Sequence, residues 1–174
     1  QLVPVNDWFE PSTAAYSIIG VLLLISIYFR QVLASLIIAL PLLMSLAWTF
    51  GMTYLFIGSL NMITVGLFAI LFGLGIDFGI HIFARYREAR RRGTDVEHAL
   101  TETVVHTGGA LTTTAVTTAI AFYSLLITDF KGFSEFGFIV GTGILFSLIA
   151  MIVICPAFIV LGERLNIVRL ARQD

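Results

Sequence analysis

Charge is what this chain has least of. Of its 174 residues 12% are charged and 58% hydrophobic, with a mean hydropathy of +0.97. Soluble domains carry about 25% charged residues, so this balance excludes a water-soluble globular protein, and it excludes a disordered chain for the same reason. The formal net charge is -1, and the only concentrated basic stretch is the short cluster at 85–92, which excludes a nucleic-acid-binding protein. Cysteine is nearly absent. Cys155 stands alone in an apolar run, so there is no disulfide framework and no cysteine-built metal site. Nothing in the sequence supplies an activated nucleophile, a metal-ligand set, a phosphate loop or a cofactor motif, so an enzyme is not expected.

What is present is apolar length. A spanning helix needs about 20 mostly apolar residues, and five stretches qualify: about 12–29, 33–57, 60–83, 108–127 and 133–161. Pro41 lies in the second and Pro156 near the end of the fifth, and the fourth is rich in threonine. Backbone polar groups in lipid must be satisfied within the segment, and the alternating strands of a barrel are missing. The expected fold class is therefore an all-α integral membrane domain of five helices.

The few cations orient it. With five alternating spans, one side receives Arg30, the cluster Arg85, Arg87, Arg90, Arg91 and Arg92, and then Arg164, Arg169 and Arg172. Only Lys131, of the ten Lys and Arg residues, falls on the other side. The positive-inside rule then places the N-terminus outside and the C-terminus in the cytoplasm of a multi-pass cell (inner) membrane protein. The chain opens at Gln1, without a signal sequence, so an earlier span and an external domain are expected ahead of it, with 1–11 as the end of that external segment. Residues 86–107 become a cytoplasmic connection and 162–174 a cytoplasmic tail. Within the connection, Thr94-Asp95-Val96-Glu97 has the form of a capping box. The apolar spacing of Val96, Ala99, Leu100, Thr103 and Val104 predicts a short amphipathic helix on the membrane surface. The arginines of 85–92 suit a topology anchor touching lipid head groups, and His98 and His106 suit a solvated surface.

One residue does not belong in its span. Asp77 lies in the third apolar run, where a carboxylate costs about 2.5–3.5 kcal/mol on insertion scales. Such a group must face the protein interior or a water-filled path, or be protonated. Loss of water favours the neutral form of any carboxylate, which suits a group that takes up and releases protons. His81 and Arg85 follow at four-residue steps, so Asp77, His81 and Arg85 form one polar track along the helix. Asp77 is ~12 Å deeper than Arg85 at the helical rise. The same depth on the fourth span is bracketed by Thr113, Thr114, Thr117 and Thr118. A proton relay of Asp77 and His81 with Thr113, Thr114 and Thr117 is the expected site, since hydroxyls bond a carboxylate in either protonation state. Helix packing is expected at Gly73, Gly75 and Gly79 and at Gly137 and Gly141, which fall in small-xxx-small patterns.

The run Gly73-Leu74-Gly75-Ile76-Asp77-Phe78-Gly79-Ile80-His81, with its exit Ala84-Arg85-Tyr86-Arg87-Glu88, resembles the fourth transmembrane helix of the resistance–nodulation–division (RND) superfamily. Within it the run is most similar to the MMPL branch and its hopanoid-exporter relatives. The likeness continues through Gly109 to Phe122, through Asp129 to Gly141, and ends at Pro156-Ala157-Phe158. It implies helices two to six of a half-transporter, the block that corresponds to a sterol-sensing domain in other relatives. It further implies proton-driven export of lipids or other hydrophobic molecules, with Asp77 in the proton-coupling position. The implied partners are membrane lipids, protons, a second half of the same transporter and an external porter domain. Phe78 stands where many MMPL members have tyrosine, so an Asp–Tyr relay does not carry over. The alternatives are a sterol-sensing-type lipid-binding module and a protein-export accessory of the SecD/SecF kind.

Overall fold

The computed structural model describes residues 19–20, 32–58 and 62–164. Its helices are α1 (Val32–Phe56), α2 (Met62–Arg91), α3 (Val96–Tyr123), α4 (Lys131–Ile149) and α5 (Cys155–Arg164). Among the described residues there is no strand. A single 3-10 turn, Ser124–Ile127, follows α3, and a π-helical turn, Ala150–Ile154, joins α4 to α5. Among the described residues four rods are long and apolar enough to cross a membrane: Leu36–Phe56, Ala69–Arg91, Val96–Ile127 and Lys131–Arg164. The span expected over 12–29 lies outside the described residues save for the helical pair 19–20, as do residues 165–174 of the tail.

The π turn has a cause in the sequence. Pro156 has no N–H to donate, and its ring crowds the carbonyl four residues back. A widened turn immediately before it lets the rod pass the proline without breaking. Pro41, by contrast, lies within the continuous helix α1.

The segment 96–107 differs from expectation. It is not a separate surface helix but the first three turns of α3, which runs unbroken to Tyr123. Gly108 and Gly109 fall inside that helix. Each costs about 1 kcal/mol relative to alanine, less than leaving backbone groups unsatisfied in lipid. The capping box also fails to form. Asp95 is the N-cap, in extended conformation, and makes no side-chain capping bond. The chain reverses between α2 and α3 in a tight turn whose Gly93 has φ +84°, a conformation that suits glycine.

α1, α2 and α4 pack against one another, and α3 lies against α2 and α4. Ile38, Leu42, Leu71, Phe83, Ile144 and Met151 are buried where these helices meet. The approach is close because α2 offers glycines. A Cβ on Gly75 would strike Leu42 of α1 and sit 3.1 Å from Ser147 Oγ of α4, and one on Gly79 would strike Ile38 and touch Met151. At the same level Ser45 Oγ and Ser147 Oγ are 3.1 Å apart, a buried hydrogen bond that ties α1 to α4. Gly137 of α4 lies against the Phe122 carbonyl, and Gly141 against the Tyr123 ring, 2.7 Å from where its Cβ would stand. Gly73 has nothing within 4 Å of that position.

Candidate functional site

The packing of α2 decides which way its polar residues point. Gly75 and Gly79 face α1 and α4, and Asp77 is two residues from each, about 200° round the helix. Asp77 and His81 therefore face away from the tight core, and both are exposed within this chain. They open onto a cleft of about 180 Å³ between α2 and α3, floored by Ile144 of α4. Leu74 and Phe78 line it from α2, and Leu111, Thr114 and Thr118 from α3.

The cleft brings together Asp77, His81 and Thr114 of the expected relay, and it adds Thr118. Thr113 and Thr117 are not among its lining residues; both are exposed on α3. Thr114 and Thr118 are four apart and share a face, so the helical period that joins Asp77 to His81 also selects this pair. Every threonine of this run donates its hydroxyl to a carbonyl of its own helix four residues back. Thr114 reaches Ala110 O at 3.0 Å and Thr118 reaches Thr114 O at 2.8 Å, with Thr112, Thr113 and Thr117 bonded alike. Among the described residues none donates a hydrogen bond to the Asp77 carboxylate. The threonine oxygens keep a lone pair free to accept, and the His81 ring, which also lines the cleft, carries an N–H able to donate, so the cleft holds groups suited to either protonation state of a carboxyl. Phe78, buried beside Asp77, supplies an apolar wall and no hydroxyl.

Two polar clusters lie toward the arginine-bearing end of α2. One is part-buried. The Tyr86 hydroxyl donates to Glu163 Oε1 at 2.7 Å, and Arg90 grips the same carboxylate through Nε at 3.0 Å and Nη2 at 3.2 Å. Arg90 Nη1 also donates to the Thr94 carbonyl at 2.8 Å, which holds the α2–α3 turn. The side chains of Arg90 and Glu163 are 17% and 13% exposed, and this bidentate grip fixes the end of α2 to the end of α5. The other cluster is more open. Glu102 of α3 accepts from Arg85 at 3.1 Å and from Arg92 at 2.6 Å, with the three side chains 26%, 31% and 50% exposed. Pairs this exposed are screened by solvent, so this bridge opens far more readily than the clamp. Sequence reasoning took these arginines as a lipid anchor and missed both clusters; Glu163, an acid among the cations at the end of the fifth span, was the available signal. At the opposite end Lys131 pairs with Glu135 at 3.5 Å. Among the described residues no group of His, Cys, Asp or Glu is arranged to hold a metal ion.

Asp77 thus stands on a glycine-packed apolar helix beside a cleft lined in part by Thr114 and Thr118. Residues 6–173 match the MMPL family. The chain belongs to the MMPL family. Among its relatives, "Putative membrane protein MJ1562" of Methanocaldococcus jannaschii is 37% identical over 152 residues, which cover 87% of this chain and 39% of that protein. "Hopanoid transporter HpnN" of Burkholderia multivorans is 34% identical over 145 residues, covering 82% of this chain and 16% of the transporter. Its counterpart in Rhodopseudomonas palustris is 36% identical over 123 residues, 70% of this chain and 14% of the protein. The chain thus spans well under half the length of these relatives, and corresponds to a membrane-embedded part of them.

Proposed function

We propose that this MMPL block is the membrane domain of one half of a proton-driven RND-type exporter of lipids or other hydrophobic molecules. A second half and an external porter domain complete it. The observation that carries the reading is the Asp77 carboxyl, set in an apolar helix and open to a small cleft that it shares with His81, Thr114 and Thr118. In this reading an ionised Asp77 draws in water or a cation from the second half. Uptake of a proton removes that charge and lets the acid donate to Thr114 or Thr118. The change in hydrogen bonding alters how α2 and α3 meet, and the porter domain follows. The relatives named as hopanoid transporters support a lipid-like substrate. The arginine asymmetry supports an inner-membrane protein with these ends in the cytoplasm.

A lipid sensor is the weaker alternative. Drug-sized ligands need pockets of about 300–1,000 Å³, and the Asp77 cleft, at about 180 Å³, suits water and protons better than a sterol. The test is export by the complete transporter carrying Asp77→Asn, an isostere that cannot ionise. The proposal expects export to fall at least ~100-fold, the scale on which a required proton-transfer group acts, with membrane insertion and thermal stability unchanged. Parental export by that variant overturns it.

A further inference from the structure

Arg85 continues the track of Asp77 and His81 one turn beyond the cleft, at its arginine-bearing end. It is held there from two sides. Its Nη1 donates to Glu88 Oε2 at 2.8 Å, and its Nη2 reaches across to Glu102 Oε1 of α3 at 3.1 Å. The same Glu102 oxygen accepts from Arg92 Nη2 at 2.6 Å. The two helices that wall the Asp77 cleft are therefore joined at that end by a bridge between one carboxylate and two guanidinium groups. His106, one turn from Glu102 on α3, stands between this bridge and the threonines of the cleft.

We propose that Arg85, held by Glu88 and Glu102, is the electrostatic gate that closes the arginine-bearing end of the Asp77 cleft to protons. This rests on the proton-driven reading above and deepens it by assigning the barrier that keeps proton flow tied to transport. Three observations carry it. The guanidinium does not lose its proton, so it does not pass one on, and it balances the Glu88 and Glu102 carboxylates, which would otherwise draw protons to this end. It sits in line with Asp77 and His81, on the route by which a proton leaves the cleft along α2. Its partner belongs to the opposite wall, so separation of α2 from α3 breaks the Arg85–Glu102 contact and swings the charge out of the mouth.

The neighbouring Tyr86–Arg90–Glu163 clamp explains why the opening falls here. The clamp is part-buried and bidentate and pins α2 to α5, whereas the Arg85–Glu102 contact is more exposed and is made by one hydrogen bond. The weaker joint at this end of α2 is therefore the one to α3. A proton transporter without such a barrier would dissipate its gradient whenever substrate is missing.

The experiment uses the complete transporter in proteoliposomes and reads proton flux with an internal pH-sensitive dye, with and without substrate. Arg85→Gln removes the charge and is expected to raise substrate-independent flux roughly tenfold, the lower end of what a charged cleft mouth does to the local concentration of an ion. Arg85→Lys keeps the charge and should hold the leak at the parental level. Arg85→Gln combined with Asp77→Asn should abolish the leak, because the escaping protons pass through Asp77. A parental leak in Arg85→Gln overturns the gate while coupled flux in the parent leaves the transport reading standing. A leak that persists in the double variant also overturns the gate, since it would bypass Asp77. Absence of substrate-coupled proton flux in the parent overturns the transport reading, and the gate with it.

Discussion

Gly137 has no room for a methyl group. Its Cβ would meet the Phe122 carbonyl, a backbone atom fixed at the end of α3, whereas at Gly75 and Gly79 the obstacles are the flexible tips of Leu42 and Ile38. Gly51, inside α1, has nothing within 4 Å. Substitution by alanine should therefore grade by site. Gly137→Ala is expected to destabilise by about 1–3 kcal/mol, as overpacking does, and Gly75→Ala and Gly79→Ala by less. Gly51→Ala gains about 0.5–1 kcal/mol from helix propensity alone. Melting temperatures in detergent check the order, and a Gly137→Ala variant as stable as Gly51→Ala would contradict the packing. The sequence indicated which glycines fall in pairs, because the four-residue spacing is local. The two-residue offset of Asp77 from Gly75 and Gly79 sets them on opposite faces of α2, but the sequence did not indicate which neighbouring helix takes each face. The same limit applies to the threonines. Five of them lie between 112 and 118, on several sides of α3, and only the rotation of α3 against α2 separates Thr114 and Thr118 from Thr113 and Thr117.

Helix ends carry the contrast between a fixed joint and a movable one. The Glu163 carboxylate serves Tyr86 and Arg90 in a part-buried setting, and removing it leaves a part-buried guanidinium without its counter-charge. Glu163→Ala should cost about 3 kcal/mol, at the lower end for breaking a buried pair. Glu102→Ala, at a solvent-screened pair, should shift stability far less. Tyr86→Phe removes one hydrogen bond to a charged group and should cost about 1.5–3 kcal/mol. Equal thermal shifts for Glu163→Ala and Glu102→Ala would show that the two joints at the arginine-bearing end are held alike. The clamp was not legible in advance because its partners are 77 and 73 residues apart, and no local period links them. The amphipathic pattern at 96–107 was legible as a helix, yet its continuity with the span from 108 was not, and the demand for satisfied backbone in a bilayer carries the helix through Gly108-Gly109.

The whole block is unevenly covered. In the most apolar window of α3 only 17% of residues are buried by this chain, against 50% for α1 and for α2 and 39% for the α4–α5 rod. The bare side carries Thr112, Thr113 and Thr117, small polar residues that suit close helix contact better than lipid. A spin label at Thr117 in the complete transporter should therefore be shielded from dissolved oxygen, while one at Tyr54, 75% exposed at the end of α1, should be accessible. Equal accessibility would place the α3 face in lipid. If a second half covers that face, it also closes the open side of the Asp77 cleft and brings the partner that an ionised carboxylate requires. The claim on which all of this turns is that Asp77 itself gains and loses a proton. Infrared difference spectroscopy of the purified transporter across a pH titration tests it most directly. The account predicts a protonated-carboxyl carbonyl band that appears on acidification and is missing in Asp77→Asn; a spectrum in which the same band survives that substitution would contradict it.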